Sequence, residues 1–166
     1  MLAAPTFTCI LARDGREQGI AELEQGLELS RETGARMDDP YYLALLADAC
    51  ARAGRIDAAW TAVESASELA PSTRRFFFES ELTRLSGELL LGRGRNDEAE
   101  SRLREALALA RRHGSPSLEL RAALSLARAL RDESARELTA SIYSRFTEGF
   151  ETHDLVTARA LLGEVG

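Results

Sequence analysis

Apolar side chains along this chain recur at the three-to-four spacing of amphipathic helices, and the whole pattern then returns at one fixed offset, forty positions later. Leu45, Gly54, Arg55, Asp57, Ala59, Ala66, Leu69 and Ala70 return unchanged as Leu85, Gly94, Arg95, Asp97, Ala99, Ala106, Leu109 and Ala110. Ala47 is answered by Gly87, Val63 by Leu103 and Cys50 by Leu90, so small positions stay small and apolar positions stay apolar. A fixed period of this length marks stacked helical hairpins, none of which buries its apolar face alone. The pattern predicts an all-α protein, a right-handed α-solenoid of hairpins with a C-terminal capping helix. That architecture suits a binding scaffold, not a catalyst.

Stop and start signals divide a single domain, 1–166, into units. The span 1–34 reads as a truncated first hairpin, since Gln18 to Thr33 carries Ile20, Leu23 and Leu27 at repeat-compatible places while Phe7 to Arg13 is too short for a full partner. On this reading the N-terminus is cut inside a repeat, as in a fragment of a longer protein or a frayed natural end. The second hairpin, 39–70, opens with Asp39 as N-cap and Pro40 at the first helical position, turns at Gly54, and stops at Ala70-Pro71. The third, 72–113, starts at Ser72 or Thr73 and turns near Gly92 or Gly94. The divergent fourth, 116–146, follows Gly114-Ser115-Pro116, with Ser115 as its cap. Asp132, Glu133 and Ser134 replace the glycine turn in that hairpin. A capping helix, 152–163, has Thr152 as N-cap and Asp154 at the positive helix end.

Composition narrows the function. Alanine, leucine, glutamate and arginine dominate, aromatic residues are 6% and prolines number four, as all-helical chains require. The formal charge of −6 argues against nucleic acid and anionic lipid as partners. All 21 basic residues are arginine, a composition that points to a GC-rich, bacterial coding sequence and carries no chemistry. There is no leader and no apolar run of about 18 residues, so the expected location is cytoplasmic. Cys9 and Cys50 have no CxxC spacing and read as free thiols in a reducing compartment.

Residues 40–73 and 80–113 each resemble a tetratricopeptide repeat of about 34 residues, with Ala47 or Gly87 at the eighth place, Ala59 or Ala99 at the twentieth and Ala66 or Ala106 at the twenty-seventh. The repeat's usual aromatic positions are Leu43, Cys50, Thr83 and Leu90 here, so no aromatic packing is carried over. A narrower resemblance rests on Gly87-Glu88-Leu89-Leu90-Leu91, Asp97-Glu98-Ala99-Glu100, Ser117-Leu118-Glu119-Leu120-Arg121-Ala122-Ala123 and Phe146-Thr147-Glu148-Gly149-Phe150-Glu151-Thr152. These strings are similar to the C-terminal repeat region of bacterial signalling proteins that join a class III adenylate or guanylate cyclase domain, or a DNA-binding domain, to an AAA-like or STAND-type ATPase. The resemblance implies a regulatory arm that senses a partner or restrains the ATPase. It implies neither cyclase nor ATPase chemistry for this chain. The chain departs from the pattern at His153, where relatives tend to have proline, and at the short turn Asp132 to Ser134.

Catalytic constellations are missing from the sequence. A phosphate-binding Gly-x-x-x-x-Gly-Lys-Ser/Thr loop is impossible without lysine, and Gly92-Arg93-Gly94 follows a helix where a dinucleotide loop follows a strand. His113 and His153 stand apart from other ligand types, so neither a metal site nor a cofactor is expected. The remaining candidate is the groove between stacked first helices. Repeat geometry places Tyr41, Asp48 and Arg52, then Glu81, Arg84 and Glu88, then Arg121, Leu124, Arg128 and Arg131 on it. Each residue alone is also what a solvated helix face carries. Together they predict a groove acidic in its middle and basic at its C-terminal end, fit for a bipolar peptide from another protein or from another domain of the same polypeptide. The competing expectation is a structural self-assembly module that forms homodimers through the ends of the stack, or a free-standing peptide-binding adaptor. Phe76, Phe77 and Phe78 cannot share one face at about 100 degrees per residue, which leaves one ring for the groove, for another molecule or for packing against the preceding hairpin. Trp60 is expected to be half exposed on an outer helix.

Overall fold

The recurring glycines set the turns. Gly34, Gly54, Gly94 and Gly114 all have φ between 63° and 76°, the left-handed region where a residue without Cβ is unstrained. At Gly54 the chain closes a helix with Gly54 N donating to Ala51 O and Arg55 N to Cys50 O; the next hairpin repeats the pair of bonds, from Gly94 N to Leu91 O and Arg95 N to Leu90 O. This is the six-to-one and five-to-two closure of a Schellman turn. The computed structural model describes residues 17–34, 38–73 and 77–163. The expectations for Phe7 to Arg13, Cys9 and Phe76 lie outside them.

Eight helices occur in order among the described residues: α1 Glu17–Thr33, α2 Asp39–Arg52, α3 Ile56–Thr73, α4 Phe77–Gly92, α5 Asn96–Arg112, α6 Pro116–Leu130, α7 Glu133–Tyr143 and α8 His153–Gly163. No strand occurs among these residues, so the fold is all-α. Each helix packs on the next in sequence, and the even-numbered ones also touch in succession, α2 with α4, α4 with α6 and α6 with α8. Their facing stripes are those that recur in the sequence. Ala47, Ala59, Ala66, Ala99, Leu103 and Ala106 are fully buried, Cys50 and Leu90 nearly so. Gly87 lets α4 lie against α5, since a Cβ there would come within 2.8 Å of Leu103. Ile20, Leu43, Leu85 and Leu89 anchor one apolar cluster and Leu103, Leu120, Ile142 and Leu155 another. Burial of Cys50 pushes its thiol pKa up, which keeps it protonated and inert.

Several local expectations are corrected. The N-cap of α2 is Asp38, with Asp39 already helical and buried, its carboxylate accepting from Ser30 Oγ of α1 at 2.5 Å. The helix expected to stop at Ala70-Pro71 runs on to Thr73; the fixed φ of proline is compatible with a helix, and Pro71 falls in the last turn. The boundary between the second and third hairpins therefore moves from 70–72 to 73–77. Ser115 makes no side-chain cap bond, whereas Asp132 does, accepting from Ala135 N at 2.8 Å. Arg131 occupies the left-handed turn position at φ 53°, the place that glycine takes in the other turns.

Candidate functional site

Positions spaced by three, four and seven residues share one side of a helix. Asp48 and Arg52 on α2, Glu81, Arg84 and Glu88 on α4, and Arg121, Leu124 and Arg128 on α6 obey that spacing. Because α2, α4 and α6 touch in succession, these faces meet in one groove with a cavity of about 370 Å³. Asp48, Arg52, Arg84, Glu88, Arg121, Leu124 and Arg128 line it. Glu81 lies beside it, bonded to two of the lining arginines.

Two of the expected groove residues are elsewhere. Tyr41 is not in the lining; its ring is 5.4 Å from that of Tyr42 and 5.9 Å from that of the buried Phe78, centroid to centroid. Arg131 is not in the lining either; it stands at the left-handed position that ends α6. Trp60 is half-buried on α3, with the Arg93 guanidinium 4.8 Å from its ring centroid.

The groove contains residues that the repeat did not single out. Ser125 lies one turn after Arg121 on the same face, a signal that was available in the spacing. Ala51, Ile56, Leu89 and Gly92 add apolar surface, and His153 and Asp154 bring in the first turn of α8. The α8 helix packs on α7 and α6, and it lies beyond the region that the forty-residue repeat covers.

Charges in the groove are tied together by a network centred on Arg84, whose side chain is 6% exposed. Its Nε and Nη2 donate to the two oxygens of Glu81 at 2.9 and 2.8 Å. Its Nη1 reaches Glu88 Oε1 at 2.7 Å and Ser125 Oγ at 3.2 Å. Ser125 in turn donates to Glu88 Oε1 at 2.6 Å. Arg121 bridges Glu81 at 2.9 Å and Asp154 at 3.4 Å, and so joins α4, α6 and α8. Arg52 donates through Nε to Asp48 Oδ2 at 3.0 Å, and Arg128 stands 3.9 Å from Glu88. Burial alone would lower the pKa of Arg84, but the carboxylates of Glu81 and Glu88 outweigh it and raise it. Burial likewise opposes ionisation of Glu88; the charge of Arg84 and the bond from Ser125 hold its carboxyl below the usual range. The carboxylates of Glu81 and Glu88 are therefore neutralised by neighbouring arginines.

The arrangement presents guanidinium and carboxylate groups side by side along the groove. Among the described residues no cluster of three or more His, Cys, Asp or Glu is placed to hold a metal ion, and no helix is long and apolar enough to cross a membrane.

No family model matches the chain. It is 34% identical over 115 residues, 69% of its length, to an uncharacterized protein of Rhizobium meliloti (strain 1021). The chain spans 11% of that protein.

Proposed function

We propose that this chain is a non-catalytic protein-binding module, a right-handed α-solenoid of tetratricopeptide-like hairpins whose groove holds a segment of a partner protein or of another domain of the same polypeptide. The observation that carries the reading is the groove itself, formed where the polar faces of α2, α4 and α6 line up beside the α8 N-terminus. The sequence repeat and the succession of even-numbered helices support the stacked architecture. The relative supports a role within a larger protein, because the matched stretch is only 11% of its length. A regulatory arm of a cyclase- or ATPase-type signalling protein in the bacterial cytoplasm fits both the motif resemblance and this setting.

The test is a selection of random dodecapeptides displayed on phage, followed by titration of the selected peptides against variants. Reversing Arg128 to Glu should weaken binding by at least about tenfold, or about 1.4 kcal/mol. Reversing Arg102, exposed on α5 and paired with Glu105, should change it less than about twofold. Equal effects, or peptides that crosslink to α5 or α7, would transfer the reading to self-assembly through the ends of the stack, which sedimentation would then show.

A further inference from the structure

The groove's hydrogen-bonding capacity is not balanced, although its formal charges nearly are. Each carboxylate facing it has an arginine partner: Asp48 has Arg52, Glu81 has Arg84 and Arg121, Glu88 has Arg84, and Asp154 has Arg121. The rim arginines retain donors. A guanidinium carries five N–H bonds, and Arg52, 44% exposed, directs its Nε to Asp48. Arg128 is 53% exposed and 3.9 Å from Glu88, beyond hydrogen-bond reach. These two cations sit on α2 and α6, on either side of α4.

The floor between them is apolar in part, at Ala51, Ile56, Leu89 and Leu124, beside the mutually engaged Arg84, Glu88 and Ser125. Gly92 leaves it open, since a Cβ there would meet nothing closer than Ile56 Cδ1 at 3.8 Å. A floor of this kind takes an apolar side chain, and guanidinium donors on both sides take carboxylates in charge-assisted bonds. A basic segment would find its carboxylate partners already engaged.

We propose that the groove receives an acidic segment in which an apolar side chain is flanked by carboxylates that bond to Arg52 and Arg128. This rests on the groove-binding reading above and replaces the bipolar peptide expected from the sequence with one of a single sign.

Three fluorescein-labelled dodecapeptides, identical except for a central Glu-Leu-Glu, Lys-Leu-Lys or Glu-Ser-Glu, test it by fluorescence anisotropy on the full chain. The Glu-Leu-Glu peptide should saturate in the micromolar range, the Lys-Leu-Lys peptide should bind at least about a hundredfold more weakly, and the Glu-Ser-Glu peptide about tenfold more weakly. Arg52→Gln and Arg128→Gln lie on the exposed rim and should each weaken the Glu-Leu-Glu peptide about tenfold, with Arg102→Gln within about twofold of the parent. Gly92→Leu should close the floor and remove the advantage of leucine over serine. Saturable Lys-Leu-Lys binding that is lost in Glu88→Gln would overturn the acidic segment while leaving the groove in use. Glu-Leu-Glu binding indifferent to both rim variants would overturn both readings. Failure of the Glu-Leu-Glu peptide to saturate would overturn the acidic segment alone, the groove being judged by the library peptides.

Discussion

Gly87 and Gly26 are both helical glycines, yet their surroundings give alanine opposite effects. A Cβ at Gly87 would lie 2.8 Å from Cγ and Cδ2 of Leu103 and 3.3 Å from the Ala99 carbonyl. Leu103 is fully buried, and its branch carbon has no room to retreat. Alanine is the better helix former by about 1 kcal/mol, but overpacking costs about 1 to 3 kcal/mol, so Gly87→Ala should lower stability by about 1 kcal/mol. Gly26 has nothing within 4 Å of its added Cβ, and Gly26→Ala should raise stability by about 1 kcal/mol. Urea denaturation of the two variants measures the contrast; a common sign would mean that α4 and α5 are not in close approach. Arg84 poses a different question, because it holds Glu81 and Glu88 in a largely buried setting. Removing one member of a buried ion pair costs about 3 to 5 kcal/mol. Glu81 keeps Arg121 and Glu88 keeps Ser125, so Arg84→Met should sit at the lower end, near about 3 kcal/mol by the same denaturation experiment.

Helix ends were legible where a backbone requirement selects a residue type. Left-handed turns need glycine, and Gly34, Gly54, Gly94 and Gly114 mark them. Other ends were less legible: Asp38, not Asp39, stands at the N-cap of α2, and α3 overruns Pro71, although a proline disfavours the helical region for the residue before it. The turn between α6 and α7 departs from the others, with Arg131 held at φ 53° and Asp132 capping the next helix through Ala135 N. A left-handed side-chain residue costs about 1 to 2 kcal/mol, part of which glycine returns through its greater freedom when unfolded. Arg131→Gly should therefore stabilise the chain by up to about 1 kcal/mol and leave peptide binding unchanged. Asp132→Ala should destabilise it by about 1 kcal/mol through loss of the cap. Thermal melting of both variants checks the pair, and destabilisation by Arg131→Gly would show that its side chain, not its backbone, matters in the turn.

Across the molecule, the succession of even-numbered helices explains why spacing alone reached only half of the residues that line the groove: it groups residues on the face of one helix, and those helices touch one another. Spacing says nothing of which charges meet across helices. Arg121 reaching both Glu81 and Asp154, or Arg84 reaching Ser125, depends on side-chain reach between helices far apart in sequence. Glu119 was hidden for the same reason. It belongs to the string from Ser117 to Ala123, yet its role is a tie: its side chain is 5% exposed and accepts from Arg111 Nε at 2.8 Å and Arg145 Nη1 at 2.7 Å, joining α5, α6 and the segment after α7. Burial would raise its pKa, but the bonds from the two arginines hold it below the usual carboxylate range, as Arg84 and Ser125 do for Glu88. A carboxyl whose pKa is lower folded than unfolded binds fewer protons in the native state, so stability falls as protons are added. The contribution is complete above the unfolded value, about 4.3, and disappears as pH falls through the lower folded value. Glu119→Gln keeps the shape and removes the titration. At pH 7 it should be less stable than the parent, and the gap should narrow below about pH 4.5 as the parent alone loses the charge of Glu119. Urea midpoints measured at neutral, mildly acidic and strongly acidic pH decide it: a gap that stays constant across the series would mean that Glu119 is not held ionised by Arg111 and Arg145, and the three-element tie would lose its electrostatic basis.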